Sequence, residues 1–252
     1  MTGIKAIAFD LDGTIWFGEQ VAAGAPELVS YLQGKGIRVF YFTNNSSKSR
    51  RQVAEKLTRM GFAPRAGEVY TSAYATAVYA AENGVQDVYC IGSPGLLEEL
   101  AAHGVQVLDD EEAARALIIG LDVEFNYTRL AKALRLLQRG CPAIACNRDR
   151  NYPVENDRLL PGCGAIVAAI EESFGVKVDY AVGKPNTYMM ELLSRDWKLA
   201  NQEILVVGDT YTSDIEMARR FGCPSVLISA EPKPEAAETI VVARLADIRK
   251  LI

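Results

Sequence analysis

Two pairs of aspartates stand where the chain leaves short apolar runs. Asp10 and Asp12 lie in AFDLDGT, directly after IKAIAF, and Asp209 and Asp214 lie in GDTYTSD, directly after EILVV. Carboxylates can act as nucleophiles, as general acids or bases, and as ligands of hard cations. Either pair alone is a weak signal, because aspartate also favours turns and helix N-termini.

Groups that could hold an anion follow two other apolar runs. Thr43 and Asn44 lie in FTNNSS, and Lys184 lies in VGKPN. A hydroxyl, an ammonium group and backbone N–H groups near a helix start can together bind phosphate. Taken singly, Thr43 and Asn44 could equally cap a helix, and Lys184 could simply be an exposed lysine.

The combination of these motifs is more informative than any one of them. We predict that all four follow strands of one sheet, so that their side chains meet at its carboxyl edge. Two like charges about 4 Å apart repel by roughly 4 kcal/mol at an effective dielectric constant near 20, so four aspartates require a cation. Mg²⁺ suits such a site better than Ca²⁺, because it is held by few carboxylates together with water and phosphate. The combination indicates phosphoryl transfer.

Strand and helix patterns alternate at both ends of the chain. The predicted strands are 4–10, 37–43, 203–208 and 224–229, and the predicted helices include 48–60, 213–220 and 243–251. Short buried strands alternating with helices predict an α/β fold with a doubly wound parallel sheet.

The middle of the chain has strands and helices in sufficient number for a core of its own. We predict a discontinuous catalytic core at 1–72 and 184–252, with an inserted α/β cap domain at 73–183. The length of 252 residues suits a core with a large insertion.

Composition excludes several classes of protein. The single histidine, His103, precedes Gly104 at a predicted helix end, which argues against Ser-His-Asp triads and histidine metal clusters. A net charge of −5 argues against nucleic-acid binding, and the apolar runs are too short to span a membrane. Five scattered cysteines without a CxxC pair indicate free thiols, and we expect a cytoplasmic protein.

The order DLDGT, Thr-Asn, GKP and GDxxxxD resembles the four motifs of the haloacid dehalogenase superfamily. The wide insertion, with NRDxxYPxxxDxxLPGCGAIVAAI at 147–170, resembles the NagD-like or p-nitrophenyl phosphatase branch, which has a large α/β cap. The resemblance covers essentially the whole chain. It implies a Rossmann-like core sheet, an aspartyl-phosphate intermediate and a requirement for Mg²⁺.

The resemblance also implies a role for each matched residue. Asp10 is similar to the nucleophile and to a metal ligand. Asp12 is similar to the general acid–base, with its main-chain carbonyl on the metal. Asp209 is similar to a direct metal ligand, and Asp214 to a supporting carboxylate. The implied phosphate-binding residues are Thr43, Asn44 and Lys184.

The substrate is expected to be a small phosphate monoester such as a sugar phosphate, glycerol phosphate or phosphoglycolate. In the cap, Asn147 and Asp149 are placed to contact the leaving group, although they could also merely shape a turn. We expect Trp16 to narrow the entrance without touching the catalytic residues. The expected partner is a small phosphorylated metabolite, with no nucleic acid or membrane, and a homodimer is left open.

Two other functions use the same fold. A mutase or phosphotransferase would pass the phosphoryl group from the aspartate to a second hydroxyl. The resemblance implies that mutases of this superfamily carry small helical caps, whereas the insertion in this chain is a full series of strands and helices. A non-catalytic binding protein would be expected to lack a motif carboxylate, and none is missing.

Overall fold

The computed structural model describes residues 1, 3–65, 67–154, 158–231 and 239–252, without the side chains of residues 153 and 154. The strands of this part, in chain order, are β1 (Ala6–Asp10), β2 (Trp16–Phe17), β3 (Gln20–Val21), β4 (Arg38–Thr43), β5 (Val69–Thr71), β6 (Asp87–Ile91), β7 (Gln106–Val107), β8 (Ala116–Ile119), β9 (Ala143–Ala145), β10 (Asn151–Val154), β11 (Arg158–Pro161), β12 (Tyr180–Ala181), β13 (Ile204–Gly208), β14 (Ser225–Ile228) and β15 (Ile240–Val242). Its α-helices are α1 (Ala25–Gly34), α2 (Arg50–Arg59), α3 (Ser72–Glu82), α4 (Pro94–Ala102), α5 (Tyr127–Gln138), α6 (Cys163–Phe174), α7 (Tyr188–Trp197) and α8 (Glu216–Phe221).

The chain divides into two compact units. The first unit comprises Met1–Thr43, Ala54–Tyr70 and Lys184–Ile252. The second unit comprises Asn44–Val53 and Thr71–Gly183. This division shares with the predicted one the boundary between residues 183 and 184. No helix in the part of the chain that the structure describes is long and apolar enough to cross a membrane.

A six-stranded sheet in the order β15-β14-β13-β1-β4-β5 forms the centre of the first unit. Strand β1 pairs in parallel with both β4 and β13, and β13, β14 and β15 continue the parallel pairing. Every residue of β1 and β13 is buried, as expected for strands covered on both faces. The α/β fold and its parallel sheet are as the sequence predicts.

The strand order reverses at β1, which lies between β4 and β13. Such a switch point opens a crevice at the carboxyl ends of the strands, where ligands bind in open α/β sheets. Asp10 ends β1, Thr43 ends β4, and Asp209 directly follows β13. The register aligns Asp10 with Phe42 of β4. The sheet therefore brings these polar residues to one edge.

The prediction that Lys184 follows a strand of this same sheet is wrong. The preceding strand β12 pairs with β9, at the edge of a different sheet in the second unit. Only Tyr180 and Ala181 of that apolar run are in strand conformation. Lys184 instead begins the segment of the first unit that leads into α7.

A five-stranded parallel sheet in the order β12-β9-β8-β6-β7 forms the centre of the second unit. One apolar cluster joins it to α5 and α6 and includes Leu117, Leu136 and Ile166. Another cluster joins it to α3 and α4 and includes Ile118 and Leu100. Alternate residues of β8 thus face opposite helix layers, which makes this insertion an α/β module in its own right.

Residues 44–53, which the sequence analysis places in the core, group with the second unit. The Ser46 hydroxyl accepts a hydrogen bond from the Leu121 backbone N–H at 2.9 Å. The Arg50 backbone N–H donates to Glu99 of α4 at 2.5 Å. A side chain at Gly95 would overlap the main chain of residues 47–49, so this segment lies directly against α4. Its partners are distant in sequence, which is why the pattern did not indicate them.

The C-terminal elements are less regular than predicted. The predicted helix 213–220 begins earlier, with a π-helical turn at Tyr211–Ile215 that continues into α8. In this turn the buried carboxylate of Asp214 accepts a hydrogen bond from the Thr210 backbone N–H at 3.1 Å. The predicted helix 243–251 is a 3₁₀ segment at Leu245–Lys250.

Two buried tyrosines of the first unit have different hydroxyl environments. The Tyr41 hydroxyl has no hydrogen-bond partner among the described residues. The Tyr70 hydroxyl donates to Asp196 and accepts from the indole N–H of Trp197, both at 3.1 Å. Both rings are fully buried, but they lie on opposite faces of β4: Tyr70 belongs to an aromatic core with Phe40 and Phe42, whereas Tyr41 packs against Phe62.

We predict that Tyr41→Phe raises the free energy of unfolding by about 1 kcal/mol, because it removes a buried hydroxyl that forms no hydrogen bond. Tyr70→Phe is the matched control and should lower it by about 1 to 2 kcal/mol, because it leaves two partners unpaired. Urea unfolding curves of both variants and the wild type measure these changes. A destabilised Tyr41→Phe protein would contradict the assignment.

Candidate active site

The Lys184 side chain lies between two carboxylates of the first unit. Its Nζ atom is 2.5 Å from Asp10 Oδ1 and 2.6 Å from Asp214 Oδ1, and all three side chains are buried. Burial by itself lowers the pKa of Lys184, but the charges of Asp10 and Asp214 outweigh it and raise this pKa. The lysine therefore remains a fixed positive charge beside Asp10.

Asp10, Asp209 and Asp214 each place a carboxylate oxygen within 4.8 Å of the others. Burial raises the pKa of Asp10 well above its usual range, Lys184 opposes this, and the charges of Asp214 and Asp209 add to it. Burial and the Asp214 charge raise the pKa of Asp209 to about 6. Two buried carboxylates and the half-buried Asp209 thus face one ammonium group, and a further cation would be needed to keep them all ionised.

The donor set of this cluster fits a magnesium ion. Its ligands are carboxylate oxygens only, which hard divalent cations prefer. Both oxygens of Asp214 already accept hydrogen bonds, one from Lys184 and one from the Thr210 backbone N–H. Asp10 and Asp209 are therefore the better candidates for direct ligands, with Asp214 in support.

The Asp12 side chain has partners outside this cluster. Its Oδ1 atom accepts a hydrogen bond from the indole N–H of Trp16 at 2.7 Å. Its Oδ2 atom accepts one from the Thr43 hydroxyl at 3.3 Å. These two hydrogen bonds hold the Asp12 carboxylate apart from the three-carboxylate cluster, although Asp12 is only two residues from Asp10 in the chain.

The expectation that Trp16 does not touch the catalytic residues is wrong. Trp16 opens the hairpin β2–β3, its side chain is buried, and the Lys56 ammonium group lies 4.5 Å from its ring centroid. Thr14 was also missed, and its hydroxyl donates to Asp209 at 3.4 Å. Both follow Asp12 closely in DLDGTIW, but the sequence does not show which way their side chains turn.

Two glycines permit the close packing of these carboxylates. Gly13 has a φ of +93°, which favours glycine, and a Cβ atom there would overlap the Asp209 carboxylate. A Cβ atom at Gly208 would likewise overlap the Asp214 side chain. Each acid of the second pair therefore lies directly against a glycine.

The remaining predicted residues belong to the second unit. The Asn44 side-chain amide donates to Asp149 Oδ1 at 3.1 Å, and the Asn147 amide donates to the Asn44 carbonyl oxygen at 2.6 Å. The sequence did not predict this link between the cap residues and a motif residue. Phosphate binding by Thr43 and Asn44, and substrate selection by Asn147 and Asp149, stay predictions.

Two sequence profiles match the chain. The profile of haloacid dehalogenase-like hydrolases matches residues 7–106, and a second profile of HAD-like hydrolases matches residues 181–248. All the predicted core site residues lie within these two ranges.

Named phosphatases are similar over most of the chain. Human glycerol-3-phosphate phosphatase is 34% identical over an alignment of 255 positions. The alignment covers 90% of this chain and 79% of that protein. The acid sugar phosphatase of Staphylococcus saprophyticus is 38% identical over 216 residues, which cover 85% of this chain and 82% of that protein. These similarities identify the chain as an enzyme and argue against a non-catalytic binding protein.

Solved structures agree with this assignment. The 4-nitrophenylphosphatase of Thermotoga maritima has a TM-score of 0.91 at 31% identity and covers 98% of this chain and 97% of its own. The glycerol phosphate phosphatase of Mycobacterium tuberculosis, in complex with magnesium, has a TM-score of 0.85 at 29% identity. The match covers 96% of this chain and 76% of that chain. The chain therefore belongs to the haloacid dehalogenase-like hydrolases, in the phosphatase branch of the NagD-like proteins and p-nitrophenyl phosphatases.

Proposed function

We propose that this chain is a Mg²⁺-dependent phosphatase that hydrolyses a small phosphate monoester through an aspartyl phosphate on Asp10. The observation that carries the proposal is Lys184, whose buried ammonium group contacts both Asp10 and Asp214. The lysine neutralises charge on the nucleophile and can also offer its charge to a phosphoryl group that Asp10 attacks.

In the first step, an Asp10 oxygen attacks phosphorus while the bond from phosphorus to the alcohol oxygen breaks. The leaving alkoxide takes a proton from Asp12. In the second step, water attacks the phosphorus of the aspartyl phosphate and gives a proton to Asp12. The bond between phosphorus and Asp10 then breaks, which releases inorganic phosphate and restores both residues.

We infer from the contacts of Asp12 which of its oxygens would carry the proton. The indole N–H of Trp16 can only donate, so Asp12 Oδ1 is held as an acceptor. The Thr43 hydroxyl at Oδ2 can accept as well as donate. We therefore assign the transferred proton to Oδ2.

Bound Mg²⁺ would supply charge stabilisation to the phosphoryl oxygens and to the nucleophile. The residues proposed to hold it are Asp10 and Asp209 through their side chains and Asp12 through its main-chain carbonyl. Asp214 would support the site by holding Lys184. The cluster of Asp10, Asp209 and Asp214 supports the proposal of a bound metal ion, because a single ammonium group does not balance three negative charges.

The proposed substrate carries its phosphate on a small polar alcohol. The similar proteins named above act on glycerol phosphate and on acid sugar phosphates, so glycerol phosphate and sugar phosphates are the first candidates for this chain, and phosphoglycolate is a third. Measuring phosphate release from these esters and from 4-nitrophenyl phosphate, in Mg²⁺, tests the activity. Transfer of phosphate to a second sugar hydroxyl without phosphate release would favour a mutase.

Asp10→Asn should lower kcat by at least about 1,000-fold on every ester, because the covalent intermediate cannot form. Rapid-quench experiments with ³²P-labelled substrate should find labelled wild-type protein and no labelled variant. Asp87→Asn, which changes a half-buried carboxylate of the second unit 3.9 Å from Arg115, is the control and should retain full activity. Labelled Asp10→Asn protein would exclude Asp10 as the nucleophile.

Asp12→Asn should lower kcat/KM about 100-fold or more on glycerol phosphate and much less on 4-nitrophenyl phosphate, whose leaving group needs no proton. Trp16→Phe should show the same pattern at about 10-fold, because it removes one hydrogen bond to Asp12. Trp197→Phe is the matched control, since its indole N–H donates to Tyr70 and not to the site. Equal losses on both esters would contradict the role of Asp12.

Chelation should abolish activity, Mg²⁺ should restore it, and Ca²⁺ should restore it poorly. Independently of activity, Mg²⁺ at about 100 times its Kd should raise the free energy of unfolding by about 2.7 kcal/mol. Asp209→Asn should lose most of this stabilisation. Asp12→Asn should keep it, because both side-chain oxygens of Asp12 are bound elsewhere. Full activity in chelator would refute the proposed mechanism.

A further inference from the structure

Three hydrogen bonds of the second unit converge on Asn44. The Ser72 hydroxyl and the Asn147 side-chain amide both donate to the Asn44 carbonyl oxygen, each at 2.6 Å. The Asn44 side-chain amide donates to Asp149 Oδ1 at 3.1 Å. The main chain and the side chain of this residue are therefore fixed by different partners.

The partners of Asn44 are also bound to one another. The Asp149 backbone N–H donates to Asn147 Oδ1 at 3.0 Å. The nitrogen and the oxygen of the Asn147 side-chain amide therefore both form hydrogen bonds. The Asn147 side chain is buried, as is that of Ser72. Buried polar groups that lose their partners cost about 1 to 3 kcal/mol each, so this network holds a defined geometry.

Two glycines allow the chain to close around this network. A Cβ atom at Gly183 would lie 2.5 Å from Asn44 Oδ1 and 2.6 Å from the Cys146 carbonyl oxygen. A Cβ atom at Gly164 would overlap the carbonyl groups of Arg148 and Asp149. The loop carrying Asn147 and Asp149 is thus packed against backbone on both sides.

We propose that Asn147 and Asp149 are positioning residues that hold Asn44 in the phosphate-binding orientation. The inference rests on the proposed function, together with the prediction from the sequence that Asn44 binds phosphate. Asn147 fixes the direction of the Asn44 carbonyl and Asp149 fixes its side chain. The phosphate is common to all substrates, whereas the alcohol is not. Losing either residue should therefore weaken the binding of all substrates to a similar extent.

The first test measures Asn147→Ala and Asp149→Ala on glycerol phosphate, on 4-nitrophenyl phosphate, and for inhibition by inorganic phosphate. We expect kcat/KM to fall about 10-fold on both esters and the Ki of phosphate to rise by a similar factor. Arg148→Ala is the matched control. Arg148 lies between the two residues in the chain, but its guanidinium group binds Glu171 at 2.7 Å, so its loss should leave these constants unchanged.

The second test is a double-mutant cycle with Asn44→Ala. If Asp149 acts through Asn44, then Asp149→Ala should change the Ki of phosphate by less than about 2-fold in the Asn44→Ala protein. Asp149→Asn keeps a side-chain oxygen acceptor and should restore most of the lost affinity. Should Asn147→Ala fail to fold, Asn147→Asp keeps the acceptor for the Asp149 N–H and replaces the donor to Asn44 with a negatively charged oxygen.

A changed substrate ranking with an unchanged Ki of phosphate would overturn the inference and place both residues at the leaving group. Additive effects in the cycle would also overturn it, because Asp149 would then act independently of Asn44. Wild-type protein that hydrolyses none of the esters would refute the proposed function instead. An active wild type with Asp149→Ala indistinguishable from Arg148→Ala would refute only the inference.

Discussion

The crowding of three carboxylates, two of them buried, around one lysine is the constraint on which the candidate active site depends. Lys184 contacts Asp10 and Asp214, and Asp209 lies close enough to share one ion with them. Removing charges from water is costly, and one ammonium group offsets only part of the cost. The fold tolerates this arrangement because the sheet delivers the acids to one edge and glycines let them approach. The charged cluster therefore lowers the free energy of unfolding at the site where the proposed reaction needs charged groups.

The positions of the reactive groups could be predicted because they follow from the order of strands. Apolar runs mark β1, β4 and β13, and the polar residue that ends each run must lie at the carboxyl edge of a parallel sheet. The same reasoning failed for Lys184, whose apolar run is paired in the other sheet. A run of a few apolar residues does not indicate which sheet it joins.

The partners of those groups could not be predicted, because they depend on side-chain rotamers and on residues distant in sequence. Trp16 is only four residues from Asp12, yet its contact depends on how the β2–β3 hairpin turns the indole. Asn44 and Asp149 are more than one hundred residues apart. In both cases the motif predicts a site residue, and the structure adds a hydrogen-bond partner of that residue.

The contact between Trp16 and Asp12 also has a spectroscopic consequence. The chain has two tryptophans, and the other one, Trp197, donates its indole N–H to Tyr70 in the aromatic core of the first unit. Indole emission responds to the charge and hydrogen bonding of its neighbours, so the protein carries a natural fluorophore on its proposed acid–base residue. In a Trp197→Phe background the emission comes from Trp16 alone, and binding and turnover at Asp12 become visible without a label.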